Sequence, residues 1–160
     1  MAIDKAEIIQ DVYILLFDLL SDQTKIPDTH STPRSKFWYS SEPDFIYSDT
    51  TSLETFKKSL PLGLIEVKLR EWNDFTLTKK FVNVDITIEW LTTTSENCDK
   101  YGDLIINTIE TSRKTLANNG LRLLNLTSTD KDMFIRGKIK IHVNRIEFEG
   151  RVYFTDTRAW

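Results

Sequence analysis

The stretch Lys79-Lys80-Phe81-Val82-Asn83-Val84-Asp85-Ile86-Thr87-Ile88-Glu89-Trp90 alternates without a break. Val82, Val84, Ile86, Ile88 and Trp90 point one way, and Asn83, Asp85, Thr87 and Glu89 point the other. A period of two is that of a β-strand, and one apolar face opposite one polar face is that of an antiparallel sheet solvated on one side. Upstream, from Gly63, Ile65, Val67 and Leu69 alternate with Glu66, Lys68 and Arg70, a second half-buried strand joined to the first through a polar turn around Asn73-Asp74.

Downstream, Thr92 to Asn97 form a polar turn into a helix running from about Cys98 to Asn118. Tyr101, Leu104, Ile105, Thr108, Ile109, Ser112 and Leu116 mark its core face, and Asn118-Asn119-Gly120 is its stop signal. A short strand, Leu121 to Leu126, follows, and Ser128 to Asp132 turns the chain. The last third reads as a hairpin: Ile135, Ile139, Ile141 and Val143 fall on odd positions, whereas Ile146, Phe148, Val152 and Phe154 fall on even ones. A two-residue turn at Asn144-Arg145 accounts for the change of parity and sets Lys140 opposite Glu149 and His142 opposite Glu147. Arginine fits a left-handed turn position poorly, so one long strand with a bulge is the alternative.

The chain begins with a helix from about Asp4 to Leu20, where Ile8, Val12, Leu15, Leu16 and Leu19 form a stripe that Ile9, Tyr13 and Leu20 widen. A stripe this broad is covered either by the sheet or by a neighbouring subunit. Residues 22–62 differ in kind: all four prolines lie there, together with Phe37, Trp38, Tyr39, Phe45, Ile46, Tyr47 and Phe56. Lys36 to Tyr39 and Phe45 to Tyr47 are candidate short strands, and Thr51-Ser52-Leu53-Glu54 fits a capping box. Such an arm folds back on its own domain or clasps a partner. The element order predicts a single α+β domain over residues 1–160, a mainly antiparallel sheet with two helices packed on one face plus this irregular aromatic-rich arm.

The composition is that of an ordinary globular chain: 160 residues, 40% hydrophobic and 28% charged, with 24 acids against 21 bases and a net charge of -3. No strong field draws it to nucleic acid or to an anionic membrane. The longest apolar run, Val12 to Phe17, falls far short of the ~20 residues a membrane-spanning helix needs. The N-terminal residues do not resemble a secretory signal. A single cysteine, Cys98, excludes an internal disulfide and makes a reducing, cytosolic compartment the default.

Few residues offer chemistry. His30 lies in the polar arm and His142 on a strand, and neither neighbours a glycine-flanked nucleophile. The glycines, at 63, 102, 120, 137 and 150, are isolated, which excludes a phosphate loop or dinucleotide fingerprint. The carboxylates Asp74, Asp85, Glu89, Asp99 and Asp103 match no two-metal spacing. Asp85 and Glu89, four residues apart on one strand, stand about 13 Å apart, too far to share an ion. No catalytic residue, cofactor or metal is therefore expected. Two charged groups stand out instead, the basic residues Arg136, Lys138 and Lys140 and the acidic pair Asp85 and Glu89. They are neighbours within the sheet, or the basic stripe faces an acidic partner, a second copy or a nucleic-acid backbone. Trp160, at the end of the chain, is either a docking anchor or folded onto its own domain.

The layout resembles that of tail terminator, or tail completion, proteins of tailed phages, and that of the related neck terminators of contractile-tailed phages. The residues that carry it are the helix at 4–20, "KKFVNVDITIEW", "YGDLIINTIETSRKTLANNG" and "KIKIHVNRIEFEGRVYF". It is a likeness of layout with no signature motif, and the long aromatic arm departs from it. The resemblance implies a non-enzymatic virion protein of the neck, made in the host cytoplasm. Such proteins form a hexameric ring that caps the tail tube, stops its polymerisation and joins it to the head-side connector or adaptor. Sheath contact and passage of DNA through the lumen are implied too, without membrane contact. On this resemblance Asp85, Glu89, Arg136, Lys138 and Lys140 are the inter-subunit or lumen residues, and Phe37, Trp38, Tyr39 and Trp160 the docking residues. Another head–tail adaptor, a tail-tube relative, a monomeric regulatory module and a small metal-dependent hydrolase are the alternatives.

Overall fold

The computed structural model describes residues 8–22, 24–27, 37–39, 60–74 and 79–155. Its elements in chain order are α1 (Ile8–Leu20), β1 (Phe37–Tyr39), β2 (Leu62–Asp74), β3 (Lys79–Thr92), α2 (Ser95–Thr111), α3 (Arg113–Asn118), β4 (Leu121–Arg136) and β5 (Ile139–Thr155). The strands form one mixed sheet in the order β1-β2-β3-β5-β4, with β1 parallel to β2 and every other pairing antiparallel. The architecture is α+β and dominated by strand.

The strict alternation in β3 becomes its burial pattern. Val82, Val84, Ile86, Ile88 and Trp90 are buried in one large cluster with Ile65 and Val67 of β2 and Ile146, Phe148 and Val152 of β5. That cluster also holds Ile8, Val12, Leu16 and Leu20 of α1, spaced one turn apart, and Tyr101, Ile105 and Ile109 of α2. Trp90 is its largest fully buried side chain. It stacks on Tyr101 with ring centroids 4.7 Å apart, and its indole N–H donates to Asn97 Oδ1 at 3.0 Å. The Thr94 hydroxyl caps α2 by accepting from the Asn97 amide. The helical pattern is interrupted at Ser112, whose N–H bonds to the Ile109 carbonyl, so the region 95–118 is two helices rather than one.

The last third differs from the expected hairpin. The turn lies at Gly137-Lys138, where Arg136 pairs with Ile139, and β5 continues unbroken through Asn144-Arg145. Gly137, with φ 65°, occupies the first central position, where a type II′ turn places glycine. No bulge is needed at residues 143–144 either, since the β3–β5 register is constant from Lys79↔Thr155 to Thr92↔His142. The parity change has a different physical origin: β5 buries opposite faces at its two ends. Ile146, Phe148 and Val152 enter the main cluster, whereas Ile141 and Val143 join Leu60, Leu62, Leu64 and Leu91 in a second cluster on the other face. Lys140 accordingly pairs with Ile135, and His142 with Met133 and Thr92, rather than with Glu149 and Glu147. Ser128 to Asp132 is no turn but the middle of β4.

Candidate interaction surface

On the face opposite the main cluster, β2, β3 and β5 present a lattice of charge. Register places Lys68 beside Asp85 and Asp85 beside Glu149, with Glu89 beside Arg145. The Arg70 guanidinium reaches both acids, with Nη2 at 2.9 Å from Glu149 Oε2 and 3.4 Å from Asp85 Oδ1. Arg145 Nη2 stands 3.5 Å from Glu89 Oε2, and Lys68 Nζ 3.4 Å from Glu66 Oε1. Arg151 donates Nε–H to Asn83 Oδ1 at 3.2 Å and lies 4.3 Å over the Phe81 ring. Each of these half-exposed ion pairs contributes less than about 1 kcal/mol. Together they fix the side chains of a wet sheet face. A polar depression of about 230 Å³ opens in this lattice, lined by Arg70, Asn83, Leu123, Asn125, Glu149 and Arg151. Its one acid, Glu149, is engaged by Arg70, and Arg151 by Asn83.

Where α2 starts, the Cys98 side chain is buried. Burial, with the neighbouring Asp99 carboxylate, pushes its thiol pKa up, partly opposed by Lys131. Lys131 of β4 ties this end of the helix to the sheet through Asp99 at 2.6 Å, and the contact raises the lysine pKa. Among the described residues no group of three or more His, Cys, Asp or Glu side chains stands close enough to hold a metal ion. His142 is half-buried beside Thr92 and Met133.

The third feature is the far end of the β4–β5 hairpin. β3 ends opposite His142, so the pairs Phe134↔Ile141, Ile135↔Lys140 and Arg136↔Ile139 extend beyond it. Arg136, Lys138 and Lys140 gather around this tip, interleaved with Met133, Phe134, Ile135, Ile139 and Ile141, and no acid occurs between Asp132 and Glu147. Met133 and Ile135 are 45% and 62% exposed. The tip is at once cationic and apolar.

The basic residues are thus gathered on a hairpin end and not along one strand face. Asp85 and Glu89 lie farther along the sheet, each opposed by a cation of its own, so the two groups are not neighbours within one chain. Phe37, at 1% exposure, packs in the core 5.7 Å from Trp90 and offers no surface to a partner. Trp38 and Tyr39 are half-buried, and Tyr39 meets Tyr13 edge-on at 5.4 Å. Trp160, His30, the strand expected at Phe45 to Tyr47 and the capping box at Thr51 to Glu54 lie outside the described residues. Neither a protein-family model nor a curated protein sequence matches this chain.

Sequence reasoning found only the start of β4, Leu121 to Leu126, and missed its continuation to Arg136. It is the sheet's outer strand, and Leu123, Leu126, Met133 and Ile135 are all exposed on it. The available signal was Met133-Phe134-Ile135, consecutive apolar residues just ahead of a Gly-Lys turn, where a one-sided strand would have alternated.

Proposed function

We propose that this chain is a structural, non-enzymatic component of the neck of a tailed phage. Its copies stand side by side in a ring that caps the tail tube, stops its growth and joins it to the head-side connector. The observation that carries this proposal is the sheet's open outer strand: β4 is sixteen residues long, mostly exposed, and pairs with β5 alone among the described strands. A strand with one unpaired edge is a template for a neighbouring chain. At the other end of the sheet, β1 covers only Gly63 to Ile65 of the thirteen-residue β2, leaving a second stretch of edge among the described residues. A sheet with an available edge at each end suits head-to-tail association, which closes into a ring when the rotation per copy permits.

In this proposal α1 and α2 cover one face of the sheet, supported by the cluster they share with β2, β3 and β5. Lys138 and Lys140, with Arg136, contact a neighbouring copy or the lumen. Asp85 and Glu89, already paired with Arg70 and Arg145, add little to that contact. The tube protein and the connector are the partners, and DNA passes through without base contacts.

Negative-stain imaging of tail tubes mixed with the purified protein tests the proposal. A ring of about six copies at one tube end, with elongation halted, is the expected result. The double variant Lys138→Glu/Lys140→Glu should keep the native far-UV circular dichroism and lose the cap. Bare tube ends that go on growing in the presence of folded wild-type protein would refute the proposal.

A further inference from the structure

The two halves of β4 differ. Its register against β5 shifts between Arg122 and Asn125 and again between Leu126 and Ser128, and Leu123 takes a left-handed φ of 54°. Bulges of this kind twist an edge away from flat pairing. From Ser128 to Arg136 the register is unbroken, and the strand carries neither proline nor glycine. Among the described residues, 129–136 are therefore a regular open edge, exposed except for partial burial of Phe134 and Arg136, with the Met133 N–H held locally by Asp132 Oδ1 at 2.8 Å.

We propose that this edge binds a second copy of the same edge, β4 against β4, antiparallel about a twofold axis through Phe134. Antiparallel neighbours pair residues whose numbers have a constant sum, so the centre fixes every other pair. With Phe134 facing its own counterpart, Arg136 falls opposite the partner's Asp132, and Asp132 opposite the partner's Arg136. Met133 and Ile135, the exposed apolar side chains on the other face, fall opposite each other across the axis. Lys138, at the turn, comes beside the partner's Asp130. Moving the centre by one residue breaks the match between Asp132 and Arg136. Centring on Met133 keeps one charge pair, Arg136 with Asp130, but sets Asp132 against Phe134 and Lys131 against Ile135; centring on Ile135 keeps Asp132 with Lys138 but sets Phe134 against Arg136 and Met133 against Gly137. Of these registers, only the one centred on Phe134 joins charge to opposite charge and apolar to apolar at all five positions from Asp132 to Arg136.

Twofold symmetry doubles each contact, so a single stretch of strand supplies a self-complementary interface. The pairing does not rest on the neck proposal. It occupies an edge that a side-by-side ring needs, and so describes the soluble protein before any ring closes. Five directly opposed positions make a small interface, and the association is correspondingly concentration-dependent.

Site-specific cross-linking tests the register. Cα atoms facing each other across an antiparallel pair stand roughly 4.5–5.5 Å apart, inside the roughly 4.4–6.8 Å that a disulfide spans. Phe134→Cys should therefore cross-link to itself under mild oxidation. Met133→Cys and Ile135→Cys should each resist self-cross-linking, yet join each other when differently tagged chains are mixed. Cys98 is buried, and the wild-type chain serves as the blank. Equal cross-linking at all three positions, or none at 134 in a chain with native circular dichroism, would overturn the pairing.

A charge swap supplies a second readout that leaves Phe134 intact. Asp132→Arg and Arg136→Asp should each raise the dimer dissociation constant at least ~10-fold by light scattering, since each sets two like-charged contacts across the axis. The chain carrying both changes should recover wild-type association. Lack of recovery with both single variants folded would refute the register. Bare tube ends beside an intact, cross-linkable dimer would remove the neck proposal and leave this one standing; capped tubes without cross-linking would do the reverse.

Discussion

Gly102→Ala ought to stabilise a helix and should here do the opposite. In the middle of α2, alanine is favoured over glycine by about 1 kcal/mol. A Cβ on Gly102, however, would lie 1.9 Å from Nδ2 and 2.9 Å from Cγ of Asn144, a buried residue of β5. The amide has to move, and its Nδ2–H bond to the Cys98 carbonyl, 3.3 Å long, is lost. Overpacking costs about 1–3 kcal/mol, and a buried amide stripped of its partner about 1–3 kcal/mol more. Against the helix gain, the net expectation is a loss of about 2 kcal/mol, or a fall in Tm of about 4–8 °C for a chain of this length. Asn144→Ala alone should be nearly neutral, because Asn144 Oδ1 is buried without a hydrogen-bond partner and the Cys98 carbonyl still serves the helix ladder. In that background the obstacle is gone, and Gly102→Ala should stabilise by about 1 kcal/mol. The double-mutant cycle, read by urea unfolding with circular dichroism, should therefore show a coupling of about 3 kcal/mol. The same sign for Gly102→Ala in both backgrounds would refute the close approach of α2 to β5.

Three further outcomes follow from single contacts. Cys98, buried and with its pKa raised, should react with a thiol reagent at neutral pH far more slowly than a free thiol, and reach the free rate in denaturant. The Arg113 guanidinium, which donates to both Glu110 oxygens at 2.7 and 2.9 Å, holds that carboxyl below its ordinary value of 4.5. Its stabilisation is complete above the unfolded value and lost as pH falls through the folded one. Glu110→Gln should accordingly cost about 0.5 kcal/mol at pH 7 and nothing at strongly acid pH, as measured by urea melts at each pH. Gly137→Val, which forces a β-branched residue to positive φ at the hairpin turn, should cost about 1–2 kcal/mol and leave the α2 helix signal unchanged.

The legibility of each strand followed from how its two faces are covered. β3 could be read residue by residue because from Phe81 to Trp90 its even positions are buried in the core and its odd positions stay half-exposed. β5 misled because Ile141 and Val143 are buried on one face and Ile146 and Phe148 on the other. A parity flip records a change of covered face, and a turn is only one way to produce it. The correct turn had its own local mark, glycine at residue 137 ahead of lysine, which the parity argument outweighed. β4 from Asn125 to Met133 gave no alternation because both faces are exposed there, and polar residues in such a strand look like a loop. Most of the core face of α2 was legible, since Tyr101, Ile105, Thr108 and Ile109 repeat at helical spacing and are all buried, whereas Leu104 is half-buried and the buried Cys98 and Gly102 carry no such mark. The bridge between Gly102 and Asn144 was not, because it joins residues 42 positions apart through space alone.

The same distinction separates the two charged surfaces as functional candidates. On the open sheet face Arg70, Asp85, Glu89, Arg145 and Glu149 are engaged with one another. A partner binding there must break ion pairs before it gains any, and the net is small. Around the β4–β5 tip the balance is reversed. No ion pair within the described chain involves Lys138 or Lys140, and Met133 and Ile135 keep apolar surface in water beside a strand edge that no other described strand pairs. Covering these features releases water from apolar surface and displaces only local contacts such as the Met133 N–H bond to Asp132 Oδ1, 2.8 Å long. Substitutions on the two surfaces should therefore diverge: those at Asp85 or Arg145 should register as small changes in monomer stability, and those at Met133, Ile135 or Lys138 as changes in association at nearly constant stability.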